Sequence, residues 1–223
     1  MKKQLWTILL LSQSILAIGC GHSNISNEAT IHSSPETTTV LPQTSTDTSF
    51  KNTSGDKSVN LTTGTFLVGQ DISTGKYIFT GNGTVSIWNG EIAVINEIID
   101  SSTQSAITSV TTDLYDGQKI EVTSPTSLTL TPVQTTTFQT FLSTGNWIVG
   151  IDIEPGQYVC EPVNNEGLLE GKGNLLIYDN KVLLVNKKID ATGNDGVKSF
   201  MADLKEGQTI SICNIPSLKF TES

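Results

Sequence analysis

Apolar and polar residues alternate with a period of two over Lys119–Thr123 and again over Ser127–Thr131. Successive side chains of a strand point to opposite faces, so this alternation predicts strands with one face buried. Ile92–Ile95 and Val182–Val185 are unbroken apolar runs, which predict central strands covered on both faces. Turn residues punctuate the runs. Pro155-Gly156 has the residues of a type II turn, in which Pro presets φ and Gly supplies φ > 0, and Thr74-Gly75 is its counterpart. Asp116-Gly117 and Glu206-Gly207 mark the next reversal.

The pattern occurs twice. Gly64, Gly69, Asp71, Ile72, Gly75 and Tyr77 match Gly145, Gly150, Asp152, Ile153, Gly156 and Tyr158 at an offset of 81. Downstream the offset becomes 90: Ile92 to Asp100 meets Val182 to Asp190, Asp113 to Gln118 meets Asp203 to Gln208, and Leu128 to Thr131 meets Leu218 to Thr221. The difference is one insertion between Tyr158 and Gly173, rich in Asn and Gly, which predicts a longer hairpin loop. The expected fold is all-β: two tandem small β-sandwich or jelly-roll-like domains of about six or seven short strands each, at 63–133 and 145–223. Domains of this size bury only about 60% of their surface. The connector 134–144, with Phe138, Phe141 and Leu142 at its end, is the expected place for them to lean on each other.

The N-terminus reads differently. Lys2 and Lys3 precede a mostly apolar stretch, Trp6 to Ile18, which is shorter than a membrane-spanning helix needs. It ends in Leu16-Ala17-Ile18-Gly19-Cys20, which resembles a bacterial lipobox. The resemblance implies a signal peptide at 1–19, cleavage before Cys20, and a diacylglyceryl group on the Cys20 thiol. An ordinary secretory signal with an incidental cysteine is the alternative. From 20 to 62 the chain is Ser/Thr-rich, with isolated apolar residues and no periodicity, too little to offset the entropy of ordering. A disordered tether is expected there, with a reach of roughly 35–40 Å.

The opening G-x-D-I-x-x-G-x-Y of each copy, with D-L-x-x-G-Q near its end, resembles a repeat of secreted lipoproteins from Gram-positive bacteria. That resemblance covers 64–131 and 145–221. It implies a surface-exposed β-module anchored to the outer face of the cell membrane, and it carries no activity onto particular residues.

Charge narrows the partners. The formal charge is −9, and loss of Lys2 and Lys3 with the signal would lower it by two to −11. All 13 basic residues are lysines, so the planar fork that grips phosphate bidentately is missing, which argues against nucleic acid or nucleotide ligands. Net charge alone would repel such a body from an anionic surface, leaving the lipid on Cys20 as the expected anchor. Both histidines, His22 and His32, lie in the tether, which removes His-dependent nucleophile activation and His-based zinc sites from the repeats.

What remains is carboxylates, aromatics and two cysteines. Asp71/Asp152, Asp100/Asp190, Asp113/Asp203 and Asp116/Glu206 recur at matched places. Converging, they could bind calcium or act as an acid/base pair; capping turn backbone is the reading favoured, and no cofactor is expected. Most aromatics should be core. Trp88 and Tyr178, out of phase with Ile87 and Ile177, are the candidates to face a ligand. A Cys160–Cys213 bridge would tie an early strand of the second copy to a late one; export permits it, while Phe79 and Thr123 stand there in the first copy, and the residues leave the matter open.

No residue set points to a reaction. The expectation is a non-enzymatic module that binds an unidentified envelope or extracellular ligand. The alternatives are an immunity or superinfection-exclusion lipoprotein against a bacteriocin or phage, and an envelope hydrolase working with acidic residues alone.

Overall fold

The alternating segments become strands that pair in the same order twice. The computed structural model describes residues 57–123 and 128–223, and these are all-β, with no helix among them. The first copy contains β1 (Val59–Leu61), β2 (Gly64–Leu67), β3 (Gly75–Gly81), β4 (Gly83–Asn89), β5 (Ile92–Ile99), β6 (Ser109–Leu114), β7 (Lys119–Thr123) and β8 (Leu128–Pro132). The second contains β9 (Phe141–Ile148), β10 (Gly156–Val163), β11 (Lys172–Asp179), β12 (Val182–Asp190), β13 (Phe200–Leu204) and β14 (Thr209–Glu222). The stretch expected to be a signal peptide, Cys20, both histidines and most of the expected tether lie outside the described residues.

In the first copy the pairing runs β1-β8-β3-β6 and, separately, β2-β7-β4-β5. In the second, β9 and β14 each serve both series. Phe141–Ser143 pairs with Ser217–Lys219 and leads on to β10 and β13. Gly145–Ile148 pairs with Thr209–Ile212 and leads on to β11 and β12. The irregularity between Ile212 and Ser217 is where β14 passes from one series to the other, with Asn214 at φ 58°, a conformation Asn tolerates better than most residues. The first copy breaks its equivalents into separate strands, so it has eight short strands where the second has six longer ones.

Each copy has its own core. Leu61, Phe79, Val110 and Leu130 meet Val85, Ile87, Ile95 and Ile120 in the first. Leu142, Tyr158, Leu218 and Phe220 meet Leu175, Ile177, Ile210 and Ile212 in the second. Each cluster therefore draws on both strand series, as inward-facing alternate residues should. Between the copies, β6 and β9 run parallel and share one register pair, Thr111 with Gly145. Gly145 has φ +134°, and a Cβ there would lie 1.8 Å from the Thr111 carbonyl oxygen. Glycine is what lets the two backbones meet.

Several expectations are corrected. Strand structure begins at Val59, inside the stretch assigned to the tether, because Leu61 reaches the first core. The apolar runs of β5 and β12 are not central: each pairs on one side only, and Val182 and Leu184 are exposed. An unbroken apolar run fixes neither face, so it did not report burial. Pro155-Gly156 is no type II turn, since Gly156 lacks positive φ. The chain reverses earlier, where Ile151 and Asp152 donate N–H bonds to the Ile148 carbonyl, and the fixed φ of Pro155 instead leads into β10. Nor does the connector supply an apolar seam: Phe138 and Phe141 are half exposed, and Leu142 belongs to the second core alone.

Candidate functional site at the junction of the two copies

The repeated motif residues turn out to stitch turns together. Gly69 N–H donates to Ile72 O and Gly117 N–H to Val68 O, while Val68 N–H donates to Gln118 O. Gly150, Gly207 and Val149 make the same three bonds to Ile153, Val149 and Gln208. The buried Gln118 and Gln208 side chains accept from the Tyr115 and Lys205 amides, both at 2.9 Å. Gly69 and Gly150 have positive φ, and the carboxyl groups of Asp116 and Glu206 sit against them where a Cβ would go. Asp71 and Asp152 accept the Leu67 and Ile148 amides at 2.8 Å. Asp100 and Asp190 accept the Ser102 and Thr192 amides, also at 2.8 Å; the Ser102 amide bond holds the Asp100 carboxyl below its ordinary value, and the Thr192 hydroxyl, followed by the Thr192 amide, does the same for Asp190. Turn capping thus accounts for Asp71/Asp152 and Asp100/Asp190, while Asp116/Glu206 fill the space beside a turn glycine. Among the described residues, no three His, Cys, Asp or Glu side chains come together to hold a metal ion.

One pair does something else. Lys76 projects from β3 of the first copy and is 4% exposed. Its ammonium donates to Asp152 Oδ2 of the second copy at 2.5 Å and lies 3.5 Å from Asp113 Oδ2 of β6. It also sits 5.1 Å over the Trp147 ring, whose indole N–H donates to Ser143 O. Burial pushes the Asp113 carboxyl above its ordinary value, Lys76 pulls it down, and Asp152 pushes it up again. Two carboxylates therefore share one ammonium, an arrangement that suits holding the copies together.

Beside this pair opens a cleft of about 220 Å³. Lys76 and Asp152 line it with the hydroxyl residues Thr111 and Ser143, with Gln139 from the connector, and with the half-exposed Phe141. Thr111 and Ser143 hydroxyls lie 3.2 Å apart across the junction. The cleft exists only because the two copies abut.

Away from the cleft, further polar contacts join the copies. Asn165, on the insertion of the second copy, donates its side-chain N–H to the Gln104 and Ala106 carbonyls at 2.7 and 3.0 Å, and its backbone N–H also donates to Gln104 O. Ser105 donates to Glu170 at 2.5 Å. Glu97, 3% exposed on β5, accepts the Asn214 amide at 3.1 Å, and burial raises its carboxyl to about 7. The insertion therefore grips the 100–108 loop of the first copy. The sequence reading missed Lys76, Glu97 and Asn165. A signal was present: at two of these places the copies differ in charge, with Gln157 opposite Lys76 and Lys187 opposite Glu97.

Trp88 and Tyr178 do not meet at the cleft, and both are partly buried. Trp88 donates its indole N–H to Glu121 at 2.9 Å, with the Lys119 ammonium over its ring. Tyr178 packs on Leu176 and Cys213. The Cys160–Cys213 bridge is not formed. Cys160 is a free buried thiol in the second core, its pKa pushed up to about 12 by desolvation. Cys213 faces the separate cluster with Leu176, so the two sulfurs serve different faces of the strands. Comparison with family models, with curated proteins and with solved structures finds no match.

Proposed function

We propose that this protein is a lipoprotein held by a diacylglyceryl group on Cys20 at the extracellular face of a bacterial cell membrane, where it acts as a binding module and not as an enzyme. In this reading each copy is a small β-sandwich-like domain of the Gram-positive lipoprotein repeat that the motifs resemble. The observation that carries the binding role is the junction cleft.

Its chemistry selects a ligand class. Lys76 is held between Asp152 and Asp113 at the base, so its charge is already engaged and an anionic ligand gains little there. Thr111, Ser143 and Gln139 offer neutral donors and acceptors, and Phe141 an apolar ring edge. At about 220 Å³ the cleft is smaller than the roughly 300–1,000 Å³ of drug-sized sites. Neutral hydrogen bonding beside an aromatic edge, in a space of that size, suits one residue of an envelope glycan. The reaction reading gains nothing from the site, since the carboxylates that converge do so around an ammonium.

The test is calorimetric titration of soluble cell-wall glycan fragments into the full chain carrying Cys20→Ser. Binding should be weakened at least about tenfold by Ser143→Val and Gln139→Ala, each removing one hydrogen-bonding partner. Glycan binding that ignores both substitutions, or no binding to any fragment, refutes the assignment.

A further inference from the structure

We infer that the β11–β12 hairpin of the second copy docks on an anionic lipid bilayer. The hairpin turns through Asn180 and Lys181, at φ 48° and 70°, the paired positive values of a type I′ turn. Beyond it Val182, Leu183 and Leu184 are 61, 40 and 54% exposed. Consecutive residues of a strand face opposite ways, so three exposed in a row means that neither face of the tip is covered. β12 pairs only with β11, and the tip projects from the sheet.

Lysines surround it. Residues 172–198 carry five lysines (172, 181, 187, 188 and 198) and three aspartates, a local charge of +2 in a chain of −9. Asp195 engages Lys188 at 2.6 Å and Lys172 at 3.7 Å. Lys187 lies over the Phe200 ring, and no ion pair forms at Lys181 or Lys187 among the described residues.

The first copy supplies the control, because it builds the equivalent hairpin in the same strand register, turning through Gly90 at φ 61° and Glu91. Its equivalent segment, 82–108, has no lysine and three acids, a charge of −3. At matched positions Glu91 becomes Lys181, Glu97 becomes Lys187, Ile98 becomes Lys188 and Ala93 becomes Leu183. One scaffold thus carries two hairpins of opposite charge, and the cationic one has the bulkier tip. Lys181 also occupies a left-handed position that favours glycine, so folding alone does not explain a lysine there.

A bilayer fits better than an acidic protein. A protein surface covers one face of a strand, whereas the headgroup–acyl boundary surrounds an inserted tip on all sides. Lysine stems extend along the apolar part while their ammonium groups stay at the phosphates. This contact does not depend on the acyl group of Cys20 or on the cleft, and it would orient the body against the membrane.

The experiment is co-sedimentation of the full chain carrying Cys20→Ser with vesicles of phosphatidylcholine, with and without phosphatidylglycerol. The parent should bind the phosphatidylglycerol vesicles more tightly. Loss of two lysines in Lys181→Gly/Lys187→Gln should lower that binding about 25-fold, at about fivefold per lysine. Val182→Ser/Leu184→Ser should lower binding to both vesicle types. The Trp6–Ile18 stretch is common to all these chains, so the comparison isolates the hairpin. Lys181→Gly relieves a positive-φ lysine and should raise the thermal midpoint while weakening binding, opposite movements that misfolding does not produce. Equal binding by parent and lysine variants overturns the inference. So does failure of the parent to prefer phosphatidylglycerol, including the case in which it captures an acidic protein instead.

Discussion

Glu97 is a carboxyl whose surroundings disfavour its charge. Burial raises it from 4.5 to about 7, and the Asn214 amide offsets only part of that. A carboxyl raised in the folded state binds protons more tightly there than in the unfolded chain. Its contribution to stability is therefore fully present below about pH 4.5 and is lost as pH rises through about 7. Asp113, also raised by burial, acts in the same direction. Urea unfolding should show the protein more stable at pH 5 than at pH 8. Glu97→Gln, which keeps an acceptor for Asn214, should flatten the dependence by up to about 3 kcal/mol. A profile unchanged by that substitution would contradict the burial argument.

Among the elements, strand identity was legible wherever alternation reported a half-buried face, as in β7 and β8. The repeat was legible because its glycines and capping residues meet the same backbone needs twice. Gly69 and Gly150 leave room for Asp116 and Glu206, and the glutamines cap the same turn. Edges were illegible, because Val182–Val185 looks alike whether covered or bare. The seam was illegible for another reason: pairing β6 with β9 is a long-range event at a single register point, which no local pattern encodes. Gly145→Ala should cost about 3 kcal/mol in unfolding free energy, as its Cβ meets backbone at 1.8 Å. Gly64→Ala, at the equivalent place in the first copy, also has positive φ (+158°) but meets only the Phe66 ring at 3.7 Å, and should cost about 1–2 kcal/mol, less than Gly145→Ala. Equal costs would mean that the seam is not what Gly145 serves.

Across the whole molecule, two apolar cores stand on either side of polar contacts. The cores set the stability of each copy, and the buried pair couples them. Lys76→Met leaves Asp152 and Asp113 without their cation, a loss on the order of 3–5 kcal/mol when one partner of a buried pair is removed. We expect the parent to unfold in one denaturant transition and Lys76→Met in two, with Lys76→Met/Asp152→Asn restoring much of the coupling. One unaltered transition in Lys76→Met would place the coupling elsewhere. The candidate site was hidden from sequence reading for the same reason: its residues come from β3, β6, the connector, β9 and the turn after β9 that carries Asp152, and only the docking assembles them.

That docking is also directional. The β6 border of the first copy receives the second, while the matching border at β13 offers Met201 in place of Thr111, with Gln157 in place of Lys76 beside it. A third module appended by further duplication, or a neighbouring molecule crowded alongside, would meet a thioether and an amide where joining needs a hydroxyl and an ammonium. Growth into filaments is thereby discouraged.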